Sequence, residues 1–149
     1  MIAGGALFGV LLLCLISIKN HPVEVGRPEL DQAKIHVGDK IIPVTIADTQ
    51  PLRSQGLSGT PSLKTGTGKL FIFPKTAIQG FWMKDMQYPI DIVWIDEAWK
   101  VIGITEHVDP ASYPTIFYAP APVPYVLEIN AGEAAVDNFG VGVQLRLEK

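Results

Sequence analysis

After residue 32 the apolar residues come in short runs, none long enough to build a helical core. KLFIF (69–73), IDIVWID (90–96), KVIGITEH (100–107) and YVLEI (125–129) are rich in β-branched and aromatic side chains, and Gly, Pro, Asp or Asn punctuates the chain around them. This is the pattern of strands. Residues 33–37 and 41–47 predict a hairpin around Gly38-Asp39-Lys40, residues 81–84 a further strand and residues 143–147 a last one. Pro43 predicts that its strand runs at an edge or carries a bulge, because proline cannot donate to a ladder. Thr49 is placed to cap a short helix through Leu57, with Pro51 in the first turn and Gly56 weakening the end. Residues 131–135 read as a helical turn. Residues 109–124 hold five prolines (Pro110, Pro114, Pro120, Pro122, Pro124) and predict a long surface crossing outside the sheet interior. The expected fold is mostly β, a sandwich or distorted barrel of about seven or eight short strands with one or two short helices.

An apolar helix is expected to precede this domain. Residues 2–18 (IAGGALFGVLLLCLISI) carry no charge. Such a run is at the short end for spanning a bilayer and slightly long for a signal-peptide core. No small-x-small cleavage site follows it, and Leu11, Leu12 and Leu13 precede Cys14 where a lipoprotein would carry a small residue. The order of expectation is therefore an uncleaved anchor, then a signal peptide, then a lipid anchor. The division is a membrane anchor or signal segment (1–19), a polar linker (20–32) and one β-rich domain (33–149). Lys19, Arg27 and Lys34 follow the segment and no basic residue precedes it. Taken literally, this charge bias places the domain in the cytoplasm. An upstream basic stretch would reverse it, and an extracytoplasmic domain is the expectation, secreted if the segment is cleaved.

Beyond Lys19 there are 11 basic and 15 acidic residues, a formal charge of −4, with no run of Lys or Arg. Nucleic acid, whose binding rests on neutralised phosphates, is thus an unexpected partner. The single cysteine, Cys14, lies in the apolar segment, so the domain has no internal disulfide, cysteine metal site or cysteine nucleophile. His21, His36 and His107 have no metal-ligand spacing, and no GxSxG or complete phosphate loop is present. No cofactor is expected.

Two carboxylates stand out. Asp91 has apolar neighbours on both sides, and alternation puts it on the face of Val93 and Ile95. A carboxylate there needs partners. It is a candidate acid/base or ligand anchor, against a structural role pairing with Arg53 or capping a turn after Pro89. Glu128 poses the same question within YVLEI; were the two to converge, they would form the acid/base pair of a hydrolase. Arg53 and Gln55 are candidates for holding an anionic group. Trp82 beside Lys84 offers an aromatic platform if exposed, whereas Phe81 and Met83 fall on the opposite face.

The segment GKLFIFPKTAIQGFWMKDMQYPIDIVWID (68–96) is the most distinctive in the chain. Together with Arg53-Ser54-Gln55-Gly56-Leu57 and the late YVLEINAG (125–132), it resembles the family catalogued as domain of unknown function 192, over roughly residues 35–147. Ser58 stands where that family commonly has Met, and Val143 follows Gly142 where Asp is usual. The resemblance implies a compact β fold, commonly secreted or anchored, and implies no reaction. The leading expectation for function is a non-catalytic cell-envelope binding module that recognises a glycan or partner protein. It would use Trp82, Lys84 and the loop aromatics Tyr113, Phe117 and Tyr118. An envelope hydrolase using Asp91 and Glu128, with Arg53 holding substrate, is the alternative, and a structural accessory domain the third.

Overall fold

A computed structural model of the chain describes residues 31–149. The expected N-terminal segment (1–19) and most of the linker lie outside the described residues. The elements in order are β1 (Gln32–Val37), β2 (Lys40–Ala47), α1 (Gln50–Gln55), β3 (Gly68–Ala77), β4 (Gly80–Phe81), β5 (Ile90–Ile95), β6 (Val101–Val108), β7 (Phe117–Tyr118), β8 (Val123–Asn130), α2 (Glu133–Val136) and β9 (Leu145–Glu148). Thr49 caps α1 as expected, its Oγ1 accepting from Leu52 N–H at 3.4 Å.

Seven strands form one curled sheet in the order β6-β5-β8-β3-β2-β1-β9, and β4 and β7 form a separate two-stranded ribbon. Neighbours in the large sheet are antiparallel except β2 and β3. A parallel pair needs a crossover, and residues 48–67, with α1, provide it. The sheet curls until its edges touch at one end. Lys100 bridges Gln144, the Val101 N–H donates to the Val143 carbonyl at 3.0 Å, and the Leu145 N–H donates to the Trp99 carbonyl at 2.8 Å. The architecture is a mostly β half-barrel with two short helices. Pro43 sits in a strand paired on both sides, but β3 joins β2 only from Val44 onward, so proline occupies a locally one-sided position.

The apolar residues divide into two layers. One collects side chains from all seven strands, including Ile35, Ile46, Leu70, Val93, Ile95, Val101, Leu127 and Leu145, and fills the inside of the curl. The other covers the outer face of β3, β5 and β8, where Phe71, Ile92, Trp94 and Val126 meet Leu57, Met83 and Ala119 from the connections. Strand β5 is buried on both faces, which is why IDIVWI lacks polar alternation. Trp94 meets the polarity of its indole by donating to Thr105 Oγ1 at 3.0 Å.

Several boundaries differ from expectation. Strand β3 runs past Phe73 to Ala77, and β8 starts at Val123, so Pro124 of the proline-rich crossing lies within a strand of the large sheet, ahead of the register that pairs β8 with β5 from Tyr125 on. The strand at 81–84 shrinks to Gly80–Phe81, and Trp82 leaves it. The proline-rich crossing contains the strand Phe117–Tyr118, in the proline-free stretch between Pro114 and Pro120, paired with β4 rather than the large sheet. The last strand starts at Leu145, because residues 140–143 form the turn that joins the sheet edges.

Close backbone packing explains Gly68. A Cβ there would lie 2.9 Å from the Glu128 carbonyl oxygen and from Leu127 Cδ1. Gly68→Ala is expected to destabilise the fold by about 1–3 kcal/mol, as overpacking does. The readout is a lower urea midpoint at unchanged slope; an unaltered midpoint would mean β3 and β8 separate there at no cost.

A candidate ligand cleft with a buried acid at its floor

The curl places Asp91 and Glu128 on opposite faces of the sheet. Asp91, fully buried, lies on the inner face. Its Oδ1 accepts from the His107 N–H at 2.8 Å, and its Oδ2 accepts from Gly132 and Ala134 N–H at 2.8 and 3.0 Å. The carboxylate fastens β6 and the start of α2 to β5. Gly132 takes a φ of +86°, a left-handed conformation open to glycine, to aim its N–H inward. Asp91 is thus a backbone clamp, with neither Arg53 nor the turn after Pro89 as its partner. The convergence of Asp91 with Glu128 that a hydrolase would need does not occur, because strand registers put Ile92, not Asp91, opposite Glu128.

Glu128 faces outward, onto the floor of a cleft of about 430 Å³. Phe71, Phe73, Phe81, Trp82 and Met86 give it apolar walls, and α1 with the turn after it contributes Arg53, Gln55 and Ser58. Phe81 is the hinge of the aromatic wall, edge-to-face with Phe71 at 4.9 Å and with Trp94 at 5.7 Å. Arg53 is held rigidly. Its Nη1 donates to the carbonyls of Asp48 and Ile72, and its guanidinium lies over the Phe73 ring at 5.4 Å. Ser58 Oγ donates to the Lys84 carbonyl at 2.7 Å.

Glu128 is 5% exposed, and its Oε2 is buried without a hydrogen-bond partner among the described residues. Burial raises its pKa to about 8, against a smaller opposing pull from Lys69. Near neutral pH it therefore holds its proton and can donate a hydrogen bond. Lys69 stands directly opposite on β3. It too is buried, and burial lowers its pKa while Glu128 pulls the other way. Tyr88, whose hydroxyl lies 2.6 Å from Thr60 Oγ1, has its pKa raised chiefly by burial.

Trp82 stands at the rim, 48% exposed, edge-on to Tyr113 at 5.6 Å and with Lys84 Nζ 6.0 Å from its ring. Tyr118 on the β4–β7 ribbon and Ile78 and Ile116 beside it are exposed as well, whereas Phe117 turns toward the outer core. The structure thus gathers Arg53, Gln55, Trp82 and Glu128 around one cleft, sets Lys84 beside Trp82, and leaves Asp91 out. Sequence reasoning missed Lys69 and the Phe71/Phe73/Phe81/Met86 walls. Alternation along β3 carries the signal that Lys69, Phe71 and Phe73 share a face, but not that this face opens to a cleft.

Fold and site together define a small half-barrel domain that carries a ligand-sized cleft on its outer face with a buried acid at the floor. The chain belongs to the DUF192 family, described as Uncharacterized ACR, which matches residues 23–147. Among solved structures, it is similar to a Sinorhizobium meliloti 1021 protein provisionally described as a transcription regulator. The two share 27% identity at a TM-score of 0.74, over 81% of this chain and 97% of that one. It is similar also to a protein of unknown function from Novosphingobium aromaticivorans DSM 12444, at 24% identity and a TM-score of 0.71, over 85% of this chain and 89% of that one. No curated protein matches the chain.

Proposed function

We propose that this protein is a non-catalytic binding module of the cell envelope whose outer cleft holds a sugar unit of a glycan. In this reading the N-terminal segment anchors the domain to the membrane on its extracytoplasmic side. The observation that carries the proposal is the Glu128 carboxyl at the floor of an aromatic-walled cleft, its Oε2 without a hydrogen-bond partner among the described residues. Buried polar groups are normally hydrogen-bonded, and an exception in a concave site is one that a ligand can satisfy. A sugar offers what the walls need: an apolar ring face for Trp82 and Phe81, and hydroxyls for Glu128, Arg53, Gln55 and Ser58.

A hydrolase built on Asp91 and Glu128 is not favoured, since the two carboxyls lie on opposite faces. The description of the Sinorhizobium meliloti protein would bring DNA as a partner. The formal charge of −4 beyond Lys19 and the absence of any Lys/Arg run argue for a different ligand here.

The test is titration of the full chain, in detergent micelles, with a panel of soluble oligosaccharides, followed by tryptophan fluorescence. Trp82→Ala is expected to weaken binding tenfold or more, about 1.4 kcal/mol. Its melting temperature should stay within roughly 2 °C of wild type, because a side chain 48% exposed contributes little to the core. Absence of saturable binding to any sugar, or equal affinity in the variant, would count against the proposal.

A further inference from the structure

We infer that the sugar held in this cleft is an acidic one, a uronic acid whose carboxylate meets Arg53 and Glu128. The inference rests on the glycan reading above and narrows it. Its basis is the charge inventory of the site. Arg53 lines the cleft and Lys69 lies against its floor, and neither forms a salt bridge among the described residues. Glu128, the carboxyl that lines the cleft among the described residues, forms a salt bridge with neither, and burial raises its pKa in favour of the neutral form. A cleft lined by a guanidinium outside any salt bridge among the described residues, with a carboxylic acid donor at its floor and Lys69 opposite that acid, is complementary to an anion.

Geometry assigns the parts. Only Nη1 of Arg53 is occupied by backbone carbonyls, which fixes the guanidinium and leaves other N–H groups of its fork for a carboxylate. Glu128 reaches the same space from the floor and, as the acid, donates to a carboxylate oxygen. The ring of the sugar would then lie along Phe81 and Trp82, which line the same cleft. A ligand amine fits this inventory poorly, because it would enter beside Arg53 and Lys69 and require Glu128 to ionise.

Proton linkage follows. The groups facing Glu128 are Lys69 from β3, Tyr88 from the segment before β5 and Arg53 from α1, while β5 presents the uncharged Ile92. A ligand carboxylate adds negative charge beside Glu128 and raises its pKa further. Near pH 8, where Glu128 is partly ionised, binding should therefore take up a fraction of a proton.

The experiment compares trigalacturonic acid with its fully methyl-esterified, neutral counterpart, using the full chain in detergent micelles. Affinities come from fluorescence, and proton uptake from calorimetry at pH 8 in two buffers of different ionisation enthalpy. The acid is expected to bind at least tenfold more tightly, with proton uptake that Glu128→Gln abolishes while the variant remains folded. Equal affinity for acid and ester would overturn the acidic-sugar inference and leave the glycan reading standing. Tight binding of the acid with no proton uptake would overturn the role given to Glu128. Failure of both ligands, with saturable binding of some other neutral sugar, would overturn the inference alone; failure of every sugar would overturn the reading beneath it as well.

Discussion

Asp91→Ala is expected to lower the melting temperature by roughly 10 °C or more. The residue is fully buried and accepts three backbone hydrogen bonds from His107, Gly132 and Ala134. Hydrogen bonds to a charged group contribute about 1.5–3 kcal/mol each, and orphaned donors add a desolvation penalty. The three share one carboxylate and are not additive. A loss of about 3–5 kcal/mol is the expected sum, a large part of the stability of a domain this size. Asp91→Asn should fall between. Its amide oxygen can still serve Gly132 and Ala134, but its NH₂ group then faces the His107 N–H, a donor against a donor. Thermal melts of the three proteins decide the matter. An alanine variant that melts with wild type would show that β6 and α2 hold without the clamp.

This clamp also shows what was legible in the sequence. Asp91 was conspicuous because it interrupts an apolar strand, and alternation correctly put it with Val93 and Ile95. Its partners were not legible, since two lie on a turn 41 and 43 residues away and are backbone N–H groups that carry no residue signature. The strands themselves were readable wherever burial on both faces produced a dense β-branched run, as in β5 and β8. Legibility failed where pairing is local and weakly encoded. Phe117–Tyr118 forms a strand only because β4 lies alongside it. The curl was half legible, because closure depends on edge contacts such as Lys100 with Gln144 that no local pattern specifies.

For the site, composition pointed at the right residues without their arrangement. Arg53, Gln55, Trp82 and Glu128 all line the cleft, yet they come from α1, the segment after β4, and β8. Only the register of β3 on β8 brings Lys69 opposite Glu128, and only the register of β5 on β8 puts Ile92 rather than Asp91 beside it. A shift of one residue would have moved Glu128 to the inner face. The difference between a catalytic pair and two unrelated acids is thus a property of strand registry, which one sequence does not display.

Glu128→Gln is expected to change how stability depends on pH. The folded pKa, about 8, lies above the ordinary value of 4.5. Below the ordinary value both folded and unfolded chains carry the proton, and the group costs nothing electrostatically. As pH rises above 4.5 the unfolded chain ionises while the folded one does not, so the folded state is destabilised by about 1.4 kcal/mol per pH unit. The loss levels off near pH 8, where the folded carboxyl ionises too, and has then reached at most roughly 4–5 kcal/mol. Lys69 works in the opposite sense. Its lowered folded pKa means that stability is gained as pH rises toward 10.5. Because Lys69 is present in both proteins, the difference between wild type and variant isolates the carboxyl, apart from the Coulomb pull that Lys69 loses. The two should have similar urea midpoints near pH 4.5, and Glu128→Gln should become the more stable by about 3 kcal/mol at pH 7. Parallel stability curves across this range would mean that Glu128 ionises normally in the folded protein. The cleft would then present a carboxylate to its ligand rather than an acid, and an acidic sugar would be the wrong occupant.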